Sequence, residues 1–206
     1  MLMSLKEAKE YPLKHNCAQG SDEWHEARKG LMTASHAEAI QACGKGLETY
    51  IMELMAEKHS SGVKTQYTNE SMERGLILEP QARAIYELER GITVEQVGFV
   101  QGGEYWGASP DGLCEDYGIE IKCHADKQHF NLIINGIKAL EKKYWWQCQM
   151  NMLATGKGIW RYIAYSPNFK QSMIVFPIMA DEQAHNKLRA GIEKGIELIK
   201  EIESKI

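Results

Sequence analysis

The sequence predicts an α/β (α+β) fold of about five strands flanked by helices, and three observations carry that expectation. Five runs, at residues 92–101, 105–108, 118–123, 159–165 and 172–178, read as strands. Around them lie stretches whose apolar residues recur every three or four positions, the period of a helix that buries one face. The length, 206 residues with an ordinary apolar fraction, suits a single domain over residues 1–206 with a sizeable core.

Taken in order, residues 1–20 read as an irregular arm. A short helix begins at Ser21-Asp22, capped by one of those side chains, and stops at Gly30. Trp24 and Ala27 form its inner side, with Arg28 one position further round. Leu31 to Ser35 leads into a second helix, where Ser35-His36-Ala37-Glu38 has the capping-box pattern and predicts Ser35 as N-cap. A helix start with a hydroxyl and free amides is also an anion site. Gln41 to Gly46 reads as a loop whose glycines lack P-loop spacing. Leu47 to His59 has helical spacing at Leu47, Ile51, Leu54 and Met55, and Ser60 to Tyr67 is a polar connection.

Asn69 to Arg90 is a longer helical stretch in which Met72, Leu76, Glu79, Arg83 and Tyr86 recur at three or four residues. Pro80 is expected to kink it or to start a new segment just after Glu79. Ile92 to Gln101, a Gly102-Gly103 turn and Tyr105 to Ala108 form a hairpin, extended by Gly118 to Cys123 into a three-stranded meander. Phe130 to Ile137 is a short helix or ordered loop. Tyr144 to Ala154 is a helix stopped near Gly156 and Gly158. The last two strands flank Pro167-Asn168, and Asp181 caps an amphipathic helix running to Ile206 with Ile192, Ile196, Ile199 and Ile202 at core spacing.

Composition excludes several classes. No segment approaches the 18 or so apolar residues of a membrane span. Met1 to Lys9 carries charges where a signal peptide would be apolar, so secretion is not expected. The five cysteines, at 17, 43, 114, 123 and 148, include no CxxC pair, which favours buried thiols over disulfides, zinc or an iron–sulfur cluster. The seven histidines offer no HExxH, and there is no Gly-x-Ser-x-Gly elbow. A net charge of −4 requires any nucleic-acid surface to be basic locally, along a cleft or channel.

The chemistry concentrates between Ser109 and Cys123. Pro110 and Gly112 bracket Asp111 in a tight turn. Along Gly118–Cys123, Ile119 and Ile121 alternate with Glu120 and Lys122, so a carboxylate and an ammonium share one strand face. Two carboxylates and a lysine are what a hydrolytic magnesium site requires: hard cations take oxygen ligands, and an ammonium orients water or offsets charge on phosphate. The ordinary alternative is a turn-forming aspartate beside a solvated cross-strand pair.

Two further sets stand apart in sequence. Gln147 and Gln149 sit two residues apart on one helix, so at most one faces a given site. Arg28, with Glu23, Trp24 and the Ser35 helix start, brings a guanidinium and an anion-binding terminus within a few residues.

Pro110-Asp111 followed by Glu120-Ile121-Lys122 resembles the PD-(D/E)XK nuclease signature. The ordered set is more specific: Trp24-x-x-x-Arg28, Thr33-Ala34-Ser35, Gly75-x-x-x-Glu79-Pro80, Ser109-Pro110-Asp111-Gly112, Glu120-Ile121-Lys122-Cys123, then Gln147-x-Gln149. It resembles the lambda exonuclease branch, the YqaJ-like viral recombinases, over residues 21–165. The resemblance implies a restriction-endonuclease-like core with a central mixed β-sheet of about five strands flanked by helices. It implies a Mg2+-dependent exonuclease, with Mn2+ as an alternative and two ions per site, that degrades one strand of duplex DNA from its 5′ end. By resemblance, Asp111, Glu120, the Ile121 carbonyl and Glu79 hold metal, Lys122 activates water, and Gln149, marginally preferred over Gln147, is the active-site glutamine. Arg28 would bind the terminal 5′-phosphate with Ser35 beside it, and Ser109 and Trp24 join the DNA-binding set. Also implied are a homotrimeric ring around DNA, a single-strand annealing partner, and the cytoplasm of a bacterial or phage-infected cell. Two other readings stay open: a structure-specific or restriction-type endonuclease, and a non-catalytic DNA-end-binding protein.

Overall fold

A computed structural model describes residues 10–61 and 70–206. In chain order the elements are β1 (Leu13–His15), α1 (Asp22–Arg28), β2 (Met32–Thr33), a 3-10 turn (Ala34–His36), α2 (Ala37–Ala42), α3 (Lys45–His59) and α4 (Glu70–Arg90). There follow β3 (Phe99–Gly103), β4 (Trp106–Ala108), β5 (Gly112–Leu113), β6 (Gly118–Cys123), α5 (Asp126–Asn135) and a second 3-10 turn (Gly136–Ala139). The chain closes with α6 (Lys142–Thr155), β7 (Ile159–Tyr165), β8 (Met173–Met179) and α7 (Glu182–Glu203). No helix among the described residues is long and apolar enough to cross a membrane.

The fold is mixed α/β, as predicted, but its strands form two four-stranded sheets rather than one of about five. Their orders are β1-β3-β4-β2 and β5-β6-β7-β8. The predicted meander is therefore split: β3 and β4 pair in the first sheet, while β6 pairs with β5 and β7 in the second. The division falls where the long predicted strand fails. Only Phe99–Gln101 of it is strand; β3 then continues through Gly102-Gly103, where a turn was expected, and the turn falls at Glu104-Tyr105, while between Ile92 and Gly98 a single bridge, Glu95 to Leu113, leads towards β5. The supposed arm supplies β1, an edge strand on β3.

The second sheet positions the chemistry. Strands β6 and β7 are parallel, which demands a crossover, and α5 and α6 provide it. One face of β6 puts Ile119 and Ile121 against Ala82 and Tyr86 of α4. Tyr162 and Ala164, the register partners of Glu120 and Lys122, belong to the opposite cluster with Cys148 and Met152 of α6. Both sheet faces are thus covered. Gly118 opens β6 directly over the Trp160 ring, where a Cβ would overlap the indole.

Helix α4 runs through Pro80 as one segment, so no new helix starts after Glu79. Proline removes the bond to the carbonyl four residues back. Here Leu76, Ile77 and Pro80 all lie on an exposed stretch of the helix. The capping box also fails. Ser35 sits inside the 3-10 turn, its Oγ 3.1 Å from Thr33 Oγ1 and 3.2 Å from His36 Nδ1, and α2 starts after it with no side-chain cap. Helix α5 begins at Asp126, four residues before the expected start, and α2 and α3 consume most of the loop expected at 41–46. The first residue of the predicted 69–90 helix, Asn69, and most of the 60–67 connection lie outside the described residues.

Other expectations hold. The Asp181 carboxylate accepts from Ala184 N–H at 3.0 Å and caps α7, whose Ile192 and Ile199 are buried while Ile196 and Ile202 pack at the margin. Gly156, at φ 72°, ends α6 in the left-handed conformation that glycine adopts at low cost. All five cysteines are free thiols, but only Cys123 and Cys148 are buried as expected; Cys17 and Cys114 are half-buried and Cys43 is exposed.

Candidate active site

Strand alternation, as read from the sequence, puts Glu120 and Lys122 on one face of β6, and α6 covers that face. Glu120 is wholly buried, so the solvated-pair alternative is excluded. Its Oε1 accepts from the Lys122 ammonium and from Gln147 Nε2 at 2.6 Å, and its Oε2 accepts from Asn151 Nδ2 at 2.9 Å. Gln147 and Asn151 are one helical turn apart and so project from the same side of α6. Gln149 is on another side. Its amide donates to the Met179 carbonyl at 2.9 Å and accepts from Asp181 N–H at 3.0 Å, fastening α6 to the end of β8. The marginal preference for Gln149 is thereby corrected: Gln147 is the glutamine at the carboxylate.

Asp111 enters from the turn before β5. Strand β5 is two residues long, and beyond its end the Asp111 carboxylate takes over, accepting the Ile121 backbone N–H at 2.6 Å. What the geometry gives for Ile121 is this N–H. Glu79 comes from α4, held by Arg83 one turn on: Nη2 donates to Glu79 at 2.6 Å, while Nε donates to the Asp111 carbonyl at 3.2 Å. Arg83 thus joins the helix glutamate to the aspartate turn.

These groups shift one another. Burial, then Asp111, pushes Glu79 up to about 7 and Glu120 up to about 8. Burial also raises Asp111. Burial works against the Lys122 charge, but Glu120 and Asp111 outweigh it and hold the ammonium above its ordinary range. Behind Lys122, burial drives His124 down to about 4, and its Nε2 lies 2.6 Å from the Tyr162 hydroxyl. Two buried carboxylates, Asp111 and Glu120, with the half-buried Glu79 make an all-oxygen donor set, which suits a hard divalent ion. In the present arrangement the lysine, the arginine and two amides occupy much of that donor capacity. Among the described residues no three His, Cys, Asp or Glu side chains already converge as a cage.

The second predicted set gathers in a cavity of about 240 Å³ lined by Trp24, His25, Arg28, Leu31, Thr33, His36, Tyr50, Leu54 and Glu57. The Arg28 guanidinium lies 3.9 Å from the Trp24 ring centre, and burial pulls its pKa down. His36 stacks on Tyr50 at 3.9 Å. Trp24 Nε1 donates to Ser109 Oγ at 3.0 Å and to the Gly98 carbonyl at 2.9 Å, which ties the cavity wall to the chain two residues before Asp111. The structure therefore brings Trp24, Arg28 and Ser109 together. Among the described residues, Ser35 is linked to the cavity through Thr33 and His36.

The family model of the YqaJ-like viral recombinase domain matches residues 23–158. The chain belongs to this family. The match spans every carboxylate, amide and cation just described. Among solved structures, the alkaline exonuclease LHK-Exo from Laribacter hongkongensis is 30% identical, with a TM-score of 0.80 over 89% of this chain and 95% of its own. The same exonuclease in complex with dAMP gives 29% identity and a TM-score of 0.81 with the same coverage. A phage-related exonuclease from Haemophilus somnus 129PT, at 15% identity, shares the fold, with a TM-score of 0.67 over 85% of this chain and 96% of its own. No curated protein sequence matches. Family membership and the likeness to alkaline exonucleases support a nuclease.

Two residues that contact these carboxylate groups, Asn151 and Arg83, are not marked as site candidates by the sequence motifs. Asn151 and Arg83 each stand four residues after a residue that was singled out, Gln147 and Glu79, so i,i+4 spacing was the available signal.

Proposed function

We propose that this YqaJ-family protein is a metal-dependent 5′-to-3′ exonuclease on linear double-stranded DNA. As one nuclease domain it hydrolyses one strand and leaves a 3′ single-stranded overhang for annealing recombination. The observation that carries the reading is Glu120: wholly buried, gripped by two amides and a lysine, and beside Asp111. Such a burial is costly unless the charge is used. The 30% identity to an alkaline exonuclease over most of both chains supports it.

In this reading Asp111, Glu120, Glu79 and the Ile121 carbonyl hold the metal, Mg2+ or alternatively Mn2+, in two positions. A bound divalent ion supplies Lewis acidity and neutralises charge on the phosphoryl group. Lys122, held protonated by its carboxylate neighbours, acts as a charged donor that orients the attacking water and offsets negative charge at the phosphorus. Gln147 holds Glu120 Oε1, and Arg83 steadies both Glu79 and the Asp111 turn. Arg28, its planar fork set on Trp24, receives the terminal 5′-phosphate, with Ser35 near by. The Trp24–Ser109 bond fixes that pocket relative to Asp111. Assembly as a homotrimeric ring around DNA and action with a single-strand annealing protein, in the cytoplasm of a bacterial or phage-infected cell, complete the proposal.

The test is digestion of linear duplexes in Mg2+, one with 5′-phosphates and one with 5′-hydroxyls, beside a covalently closed circle. Fast loss from the phosphorylated 5′ end alone is expected, and Arg28→Ala should remove the phosphate preference. Cutting of the circle would replace this reading with an endonuclease. Binding to ends without cleavage in any divalent metal would replace it with a non-catalytic end-binder.

A further inference from the structure

The two oxygens of Glu120 are used unequally. Oε1 accepts from both the Lys122 ammonium and the Gln147 amide, whereas Oε2 accepts only from Asn151 among the described residues. Each carboxylate oxygen offers about two acceptor positions. Oε1 is therefore filled, and Oε2 keeps one position for another partner.

The residue on Oε2 has an unusual balance of its own. Asn151 is completely buried, and while its NH2 end meets Glu120, its Oδ1 has no hydrogen-bond partner among the described residues. Reversing the amide would set its oxygen against Glu120 Oε2, so the contact with Glu120 fixes its orientation. An unpartnered buried carbonyl is a standing cost to stability. Gln149, two residues earlier on the same helix and equally buried, has both ends of its amide satisfied. What Asn151 gains in exchange is a single contact, the one to Oε2.

We propose that Asn151 is a positioning residue: it fixes the Glu120 carboxylate so that the remaining lone pair of Oε2 is presented to the divalent ion. This rests on the metal-dependent nuclease reading. Outer partners that orient a ligating carboxylate typically govern metal affinity by about tenfold to a hundredfold.

The experiment is calorimetric titration of Mn2+ alone into the full-length protein and its variants, paired with thermal unfolding in chelator. Asn151→Leu, close in volume, removes both the donor and the orphan carbonyl. It should weaken Mn2+ binding at least about tenfold. It should also shift the Mg2+ dependence of cleavage upward, with the rate recovering at high metal. Cys148→Ala, a buried change on the same helix, should lower the unfolding temperature yet leave Mn2+ affinity within twofold. Asn151→Ala should repeat the loss of affinity. Unchanged affinity in either Asn151 variant overturns the proposal, and so does failure of both to fold, since the role would then belong to the fold. Absence of Mn2+ binding by the wild-type protein instead overturns the nuclease reading itself.

Discussion

The Ile121 backbone N–H donates to Asp111 Oδ2 at 2.6 Å, so one carboxylate closes the strand ladder where β5 ends and stands in the candidate site at the same time. Stability and activity separate at this position. Asp111→Ala leaves a buried N–H unpaired and should cost about 1–3 kcal/mol. Asp111→Asn retains an acceptor and should unfold close to wild type. Both should abolish divalent-dependent cleavage. Denaturant unfolding beside a nicked-strand assay measures the split, and an active Asp111→Asn protein would remove Asp111 from the metal set.

Lys122 is the counter-charge of a fully buried glutamate. Lys122→Ala should eliminate cleavage, and the structure adds that it is not silent for the fold. Breaking a buried pair by removing one partner costs roughly 3–5 kcal/mol, less whatever Glu120 recovers by taking a proton. The deficit should be largest in chelator and shrink when Mn2+ is added, as read from unfolding temperatures. A fully stable, inactive variant in chelator would contradict the pairing.

Gln147 and Gln149 give a direct contrast. Gln147→Ala removes a donor from Glu120 and should depress turnover with modest loss of stability. Gln149→Ala frees the Met179 carbonyl and Asp181 N–H and should cost roughly 1–3 kcal/mol while turnover stays nearer to wild type. The opposite pattern of rates would restore Gln149 to the site.

The metal-free protein should lose stability as pH rises from about 6.5 to 8. Glu79 and Glu120 titrate at about 7 and about 8 when folded, above 4.5, so the folded chain binds more protons in that window and stability falls with pH. His124, pushed down to about 4, and His36 and His185, also lowered by burial, have the opposite sign, but that contribution is already half spent at 6.5, the ordinary imidazole value, and fades above it while the two carboxyls still titrate. Unfolding temperatures in chelator should therefore decline over this interval, and less so in Glu79→Gln. An identical slope in that variant would rule out Glu79 as a source.

Packing offers a further check. Gly191 of α7 lies against the Ile40 carbonyl of α2, where a Cβ would overlap backbone. Gly191→Ala should destabilise by about 1–3 kcal/mol, measurable by thermal unfolding, without touching the carboxylates. A neutral result would mean that the two helices separate more easily than their contact implies.

Much of this protein was legible in its residues. Period-2 alternation set Ile119 and Ile121 opposite Glu120 and Lys122, turn residues framed Asp111, and apolar spacing found the long helices, because each of these signals is local to a few positions. The order of short motifs then pointed to the family. What the chain could not declare locally was rotation and partnership. Two glutamines on one helix differ by where the helix turns its sides, and that is set by β6 on one flank and β8 on the other. Asn151 reaches Glu120 across 31 positions, and Arg83 reaches the Asp111 carbonyl across 28. The sheet divides because the run before Phe99 bridges to β5 instead of extending β3. Local periodicity specifies which face of an element is apolar. Only the packed structure specifies which neighbour that element meets, since long-range contacts depend on the whole core closing at once.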